Sequence, residues 1–113
     1  MTSITITDPD EIEIDETVTT LYLLFTEPLT IKIPDRITTI YSNSSVISHL
    51  PKNLKTLVAN NLLELPELPD TLEYLAVMSV ERILELPDSI EYLFTKLHPS
   101  SFTAPKSIVK IVN

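Results

Sequence analysis

Apolar residues recur along this chain in a phrase that repeats at nearly constant intervals. The phrase Pro-x-x-(Leu/Ile)-x-x-(Leu/Ile) begins at Pro34, Pro51, Pro69, Pro87 and Pro105, and a copy without the proline begins at Asp15. In residue numbering, the start-to-start spacings are 19, 17, 18, 18 and 18. Nearer the N-terminus, Ile4 and Ile6 match Leu21 and Leu23, so SITIT reads as a half-repeat. A constant period predicts an array in which each repeat is one structural unit.

Each copy is predicted to form a short β-strand. The copies TVTTLYLLF, RITTIYS and SIVKIVN are rich in β-branched and aromatic residues, which favour strands. Proline lacks an N–H and has a restricted φ, so it suits the corner that leads into a strand. The copy PDSIEYLFTKL also matches a helix, because Ile90, Leu93, Phe94 and Leu97 follow the i, i+3, i+4, i+7 spacing. A helix is therefore the alternative for this structural unit.

The segments between the predicted strands, about ten residues each, carry apolar positions of their own. One repeat cannot bury both apolar edges, but stacking repeats at the strand spacing of about 4.8 Å buries them together. The predicted fold is mainly β: a short right-handed solenoid of about six to seven 18-residue repeats, with a parallel sheet along one face. We expect a single repeat domain over residues 1–113, with a half-repeat at 1–14 and repeats starting near 15, 34, 51, 69, 87 and 105.

Alternation along each strand separates a predicted core from a predicted open face, since successive side chains point to opposite sides of a sheet. The inward positions predict a core of Leu21, Ile40, Leu57, Leu75, Leu93 and Ile111, with Leu65, Ile83 and Leu86 behind it. The outward positions include all four tyrosines of the chain. Small apolar residues, Ala76 and Val112, are expected on the same open face.

The open face is the candidate functional surface. Polar-tipped aromatic residues on an exposed sheet suit a protein interface, and a long apolar strip is unusual on a monomer. The alternative is that aromatic and β-branched residues on neighbouring strands only stabilise one another. The residues predicted to bind a protein partner are Tyr22, Tyr41, Val58, Tyr74, Tyr92 and Phe94.

The composition of the chain argues against several classes of enzyme. Glycine is absent, although average usage would place about eight in a chain of 113 residues. A P-loop, a dinucleotide-binding loop, a G-x-S-x-G nucleophile elbow and an EF-hand all require glycine in their usual forms. The two histidines, His49 and His98, occupy different repeat positions, which argues against a shared metal site or a catalytic pair. We therefore expect no enzyme activity, no cofactor and no metal.

Two stretches resemble known repeat families. ELPELPDTLEYLAV, at 64–77, resembles the short leucine-rich repeats of bacterial secreted effectors, in which L-P-x-L-P-x-x-L-x-x-L recurs. VTTLYLLFTEPLTIKIPDRITTI resembles the Phe-Asn-Ile-Pro class of leucine-rich repeat, which is frequent in amoebae and large DNA viruses. The resemblance covers roughly residues 15–113, but the period is 18 rather than at least ~20, and an asparagine ladder is absent apart from Asn60 and Asn61. The resemblance implies a binding or scaffolding protein without chemistry of its own.

Charge and targeting signals narrow the expected partners. The net charge of −8 repels a phosphate backbone, so nucleic acid is not an expected partner. The N-terminus lacks the features of a signal peptide, no apolar run approaches the ~18 residues of a membrane span, and cysteine is absent. We expect no membrane partner and a cytoplasmic location, which for a viral protein means the host cytoplasm or the virion.

The leading hypothesis is thus a non-catalytic module that binds a protein partner of unknown identity through the open face. A recognition domain detached from a larger effector enzyme would show the same pattern. The alternative is a self-assembling structural protein, such as a minor component of a virus particle.

The last predicted strand suggests a self-association site. The sequence is expected to stop at Asn113 inside or directly after this strand, without a return segment to cover its apolar side. Lys106 and Lys110 are the charges available to discourage pairing at an open strand edge. We expect this edge to form a closed homodimer rather than an open filament. The residues predicted for self-association are Ile108, Val109, Ile111 and Val112.

Overall fold

The computed structural model of this protein describes residues 3–8, 10, 14–29, 33–81, 86–96, 108 and 110–112. The regular elements within these residues are all strands: β1 (Ser3–Ile6), β2 (Thr20–Leu23), β3 (Thr39–Ser42), β4 (Thr56–Ala59), β5 (Tyr74–Val77), β6 (Tyr92–Thr95) and β7 (Lys110–Val112). The helical alternative is therefore wrong at Tyr92–Thr95, where β6 pairs with a strand on each side. Among the described residues, no helix is long and apolar enough to cross a membrane.

The seven strands form one parallel sheet in chain order, from β1 to β7. Equivalent positions of successive repeats lie in register, beginning with Ile4 beside Leu21 and continuing with Leu21 beside Ile40. The same row continues through Leu57, Leu75, Leu93 and Ile111. Each coil of chain thus returns to the sheet one repeat later, which makes the fold a parallel β-solenoid. The right-handed coil stays a prediction, supported by the general preference of parallel crossover connections.

The core lies behind the sheet and follows the predicted inward row. Leu21, Ile40, Leu57, Leu75 and Leu93 are each at most 1% exposed, so the core prediction is confirmed at these positions. Leu65 and Leu86 are half-buried and pack against this core. Ile83 and the side chain of Ile111 lie outside the part of the chain that the structure describes.

A second buried row comes from the first apolar position of each phrase. Val18, Ile37, Leu54, Leu72 and Ile90 are all fully buried. Each also closes a turn, because its N–H donates to the carbonyl at the start of its phrase over 3.1–3.3 Å. The proline or aspartate of each phrase therefore begins a turn, and the first apolar residue of the phrase ends that turn inside the core.

The copy without a proline uses a carboxylate to hold its turn. Asp15 Oδ1 accepts hydrogen bonds from the N–H and the hydroxyl of Thr17, both at 2.9 Å. These two bonds lower the pKa of Asp15 below its ordinary value, because they favour the charged form. Their contribution to stability is therefore present above the ordinary carboxyl pKa of 3.8 and is lost as the pH falls through the lower folded-state value.

Side chains at the third position of the phrase join stacked turns. Arg36 donates to the carbonyls of Ile14 at 3.1 Å and Asp15 at 2.7 Å. Asn53 donates to the Asp35 carbonyl at 3.0 Å. Each bond reaches the preceding coil, so the turns are connected by polar contacts as well as by the sheet.

The same position in the next repeat gives a testable contact. The Thr71 hydroxyl lies 3.0 Å from the Lys52 carbonyl and 2.7 Å from the Leu54 carbonyl. Thr71→Val removes this donor while keeping the shape of the side chain, so we expect the free energy of unfolding to fall by about 0.5–1.5 kcal/mol. Urea denaturation measures the change.

A matched position provides the control for Thr71→Val. Ser89 occupies the equivalent place one repeat later, but its buried hydroxyl has no hydrogen-bond partner within the described part of the chain. Ser89→Ala should therefore cost less than Thr71→Val. An equal or larger loss for Ser89→Ala would contradict the assignment of a stabilising bond to Thr71.

A second polar ladder follows the ends of the strands. Ser45 donates to the Thr26 carbonyl at 3.2 Å, and Asn61 donates to the Asn43 carbonyl at 3.0 Å. Ser79 continues the series by donating to the Asn60 carbonyl. Serine and asparagine side chains thus both connect one coil to the carbonyls of the preceding coil.

Candidate protein-binding face

The outward side chains form two rows across the sheet, here called the open face. One row contains Tyr22, Tyr41, Val58, Ala76 and Phe94 in register. The other row contains Thr20, Thr39, Thr56, Tyr74 and Tyr92 in register. The tyrosines therefore change from one row to the other between β3 and β5, although they occupy one face of one sheet.

The first aromatic group is the tyrosine stack, formed by Tyr22 on β2 and Tyr41 on β3. Their ring centroids lie 5.0 Å apart and their planes differ by 8°. This separation is close to the spacing of neighbouring strands, about 4.8 Å, so the parallel register itself places one ring against the next. Both side chains are 38% exposed, which leaves ring surface open to solvent.

The second group is the aromatic trio of Tyr74, Tyr92 and Phe94 on β5 and β6. The Tyr74 ring lies 6.2 Å from the Tyr92 ring and 5.2 Å from the Phe94 ring, at angles of 37° and 33°. Tyr92 is 38% exposed, whereas Tyr74 and Phe94 are half-buried. Tyr92 is therefore the most exposed side chain of the trio, and the Tyr74 ring packs against it from the neighbouring strand.

The expected exposure of Ala76 is wrong. Ala76 lies in the outward row, but it is buried, with 7% of its surface exposed. Phe94 lies directly beside Ala76 on β6. The Phe94 ring packs against the ring of Tyr74, which is on β5 together with Ala76. The methyl group of Ala76 is shorter than the neighbouring rings of Tyr74 and Phe94, so its outward direction does not make it exposed.

The two aromatic groups are separated by β4. Its outward residues are Thr56 and Val58, both half-buried and both without an aromatic ring. Two strand spacings, roughly 10 Å, lie between β3 and β5. The open face thus offers two separate aromatic surfaces rather than one continuous strip of rings.

The edge of the face where the strands begin differs in charge between the two groups. Beside the aromatic trio this edge carries exposed carboxylates: Asp70, Glu73, Asp88 and Glu91. Backbone pairing defines which residues are equivalent, since Glu91 donates its N–H to the Glu73 carbonyl at 2.9 Å and Glu73 donates to the Lys55 carbonyl at 2.9 Å. The charge at this edge is therefore acidic at β5 and β6 and changes sign at Lys55.

The edge beside the tyrosine stack carries exposed carboxylates at Asp15 and Glu16 but has none directly before the two strands. The positions equivalent to Glu73 and Glu91 are Thr19 and Thr38. The Asp35 carboxylate lies 3.6 Å from the Lys52 ammonium group, which offsets its charge. The two aromatic surfaces thus differ in electrostatic surroundings as well as in ring geometry.

The structure describes only part of the predicted self-association site. Ile108 is half-buried and packs against the core. Val109 and the side chains of Ile111 and Val112 lie outside the described residues, so the homodimer stays a prediction. His98 also lies outside them, while His49 is exposed.

Sequence reasoning missed three apolar side chains that are exposed away from the two outward rows. Leu24, Val46 and Leu63 are 51%, 47% and 52% exposed. Leu24 continues the alternation of β2 past the end of the strand, since Leu23 and Phe25 on either side of it are buried. Val46 and Leu63 lie in return segments, where the period-two alternation that marks a strand no longer applies. No pattern in the sequence distinguishes Val46 and Leu63 from the buried apolar residues nearby, whereas the alternation could have identified Leu24.

Comparison with protein-family models, with curated proteins and with solved structures found no match for this chain. The solenoid and the chemistry of its open face are therefore the basis for a functional assignment.

Proposed function

We propose that this protein is a leucine-rich-repeat-type, non-catalytic module that binds a partner protein through its open face. The observation that carries the proposal is the exposed ring surface of Tyr22, Tyr41 and Tyr92, each 38% exposed on a hydrogen-bonded sheet. Rings on such a scaffold lose little conformational freedom on binding, and tyrosine combines apolar area with a polar tip.

The size of the open face favours a partner that binds it through a short segment of its chain. Strands of three or four residues are at most about 13 Å long, and seven strands at the usual spacing extend over about 29 Å. The flat area is about 400 Å², roughly half of the ~800 Å² that each side of a standard interface buries. A partner therefore either uses a short segment or continues onto the edges of the sheet.

The alternative interpretation is that the aromatic contacts only stabilise the solenoid. Each aromatic pair contributes about 0.5–1.5 kcal/mol beyond its buried area, so stabilisation and binding are expected together. The two roles separate best at Tyr92, which has one aromatic contact and a large exposed fraction. Tyr74 contacts two rings and is less suitable for this purpose.

The test is capture of a partner from the native cell by the immobilised protein, with identification by mass spectrometry and measurement of affinity for the purified partner. We expect Tyr92→Ala to weaken binding by about tenfold or more, because exposed aromatic anchors dominate interface energies. The free energy of unfolding should change by less than about 1 kcal/mol, the range of a cross-strand pair.

Leu63→Ala is the matched control for the binding test. Leu63 is 52% exposed but lies outside the open face. Leu63→Ala should leave both the affinity for the partner and the free energy of unfolding within experimental error of the unmodified protein. Equal losses of affinity for Leu63→Ala and Tyr92→Ala would count against the open face, as would assembly of the purified protein into polymers without any partner.

A further inference from the structure

The acidic edge beside the aromatic trio is not needed for the packing of the sheet. Glu73 and Glu91 are both exposed, and neither forms an ion pair with another described residue. Their backbones are adjacent, since the Glu91 N–H donates to the Glu73 carbonyl at 2.9 Å. Like charges on neighbouring strands are unfavourable, so a cationic group that binds both carboxylates would be favoured there.

We propose that the aromatic trio and the carboxylates of Glu73 and Glu91 bind an arginine-containing segment of a partner protein. This inference rests on the proposed binding role of the open face and specifies the chemistry of its partner. Glu73 directly precedes Tyr74, and Glu91 directly precedes Tyr92, so each of two neighbouring strands begins with a tyrosine that follows an exposed glutamate.

Arginine suits this arrangement better than lysine. A guanidinium group is planar, stacks on an aromatic ring and donates two parallel hydrogen bonds to a carboxylate. A lysine ammonium group is a compact, strongly hydrated charge without that fork. The exposed ring of Tyr92 supplies the stacking surface, and the carboxylates at the edge supply the acceptors.

The charges around the site favour a basic segment. Four carboxylates, of Asp70, Glu73, Asp88 and Glu91, border the trio. Lysines flank them on both sides: Lys52 and Lys55 are exposed beside β4, and Lys110 on β7 is in register with Tyr92. The Lys52 ammonium group lies 3.6 Å from the Asp35 carboxylate, which offsets its charge. The balance remains acidic, and the net charge of −8 for the whole chain attracts the same kind of partner.

The tyrosine stack provides an internal comparison. It has two exposed rings, but threonines occupy the positions of Glu73 and Glu91. If ring surface alone bound the segment, both aromatic groups would bind it. If a carboxylate beside each ring is required, binding is confined to β5 and β6.

The test uses the full chain and a nine-residue acetylated peptide with two arginines in an alanine–serine background. Otherwise identical peptides carry citrulline or lysine in place of arginine, citrulline being a neutral analogue of similar shape. Nuclear magnetic resonance titration locates the site, and calorimetry measures affinity at low and high salt. We expect amide shifts centred on Tyr74–Val77 and Tyr92–Thr95, affinity for the citrulline peptide about tenfold lower, and weaker binding at high salt.

Charge-matched variants separate a local site from general attraction to an acidic protein. The double variant Glu73→Gln with Glu91→Gln should weaken binding of the arginine peptide about tenfold. The double variant Glu64→Gln with Glu67→Gln removes the same charge from exposed residues of a return segment, and it should weaken binding less than about threefold.

Equal effects of the two double variants, equal affinity for the arginine and lysine peptides, or no binding would overturn the inference. Sedimentation showing that a second copy covers Tyr92 in the unliganded protein would also overturn it. If the captured cellular partner requires Tyr92 but is insensitive to Glu73→Gln with Glu91→Gln, the arginine inference fails and the proposed function stands. If Tyr92→Ala has no effect on the captured partner, the proposed function itself fails.

Discussion

Leu75→Ala should lower the free energy of unfolding by about 2–5 kcal/mol. Leu75 is fully buried on β5 and lies in register between Leu57 on β4 and Leu93 on β6. Truncation loses the burial of the removed atoms and leaves a cavity in the middle of the core row. Rigid sheet neighbours on both sides limit how far the site can collapse, which favours the upper part of the range.

Chemical denaturation followed by circular dichroism measures this loss. Leu63→Ala is again the matched control, because it deletes the same atoms from a side chain that is 52% exposed. The control should change stability by no more than about 0.5 kcal/mol. A cost below about 1 kcal/mol for Leu75→Ala would show that the residue is not held in a packed core row.

Ser44→Ala should lower the free energy of unfolding by about 1–3 kcal/mol. Ser44 is fully buried, and its hydroxyl lies 2.7 Å from the Glu27 carbonyl and 2.8 Å from the Val46 carbonyl. Its own N–H donates to the hydroxyl of buried Ser42 at 3.0 Å. Alanine at this position removes the donor and leaves the two carbonyls without it.

Ser48→Ala is the control for this polar contact. Ser48 is exposed and lies close by in the same return segment, so the same substitution there should change stability by no more than about 0.5 kcal/mol. Thermal and urea denaturation of both variants give the comparison. If Ser44→Ala and Ser48→Ala prove equally stable, the buried hydroxyl contributes nothing beyond its volume.

The sequence predicts that the residues of the open face point outward, but it does not predict which of their rings contact one another. Alternation along each strand indicates that Tyr22, Tyr41, Tyr74 and Tyr92 point away from the core. Register then decides which rings meet: Tyr41 stands beside Tyr22, whereas Tyr74 contacts both Tyr92 and Phe94. A shift of one strand by two residues would preserve every inward residue and still change these contacts.

The sequence by itself determined the period, the strands and the inward row of this protein. The same phrase recurs at nearly constant spacing, and strand pairing follows that spacing even at Ile4 and Ile6. The physical reason is that an apolar strand edge and an apolar return segment can be buried together only by stacking equivalent positions of successive repeats. Local pattern and fold therefore agree at each copy of the phrase within the described residues.

Only the tertiary structure decided what surrounds each residue. Ala76 is buried because of rings on its own strand and on the next, and Ser44 is held by the Glu27 carbonyl of the preceding coil. The carboxylates Glu73 and Glu91 become neighbours through the pairing of two coils, although a full repeat of chain separates them. Exposure, polar partners and local charge are properties of adjacent coils, so no pattern within a single repeat specifies them.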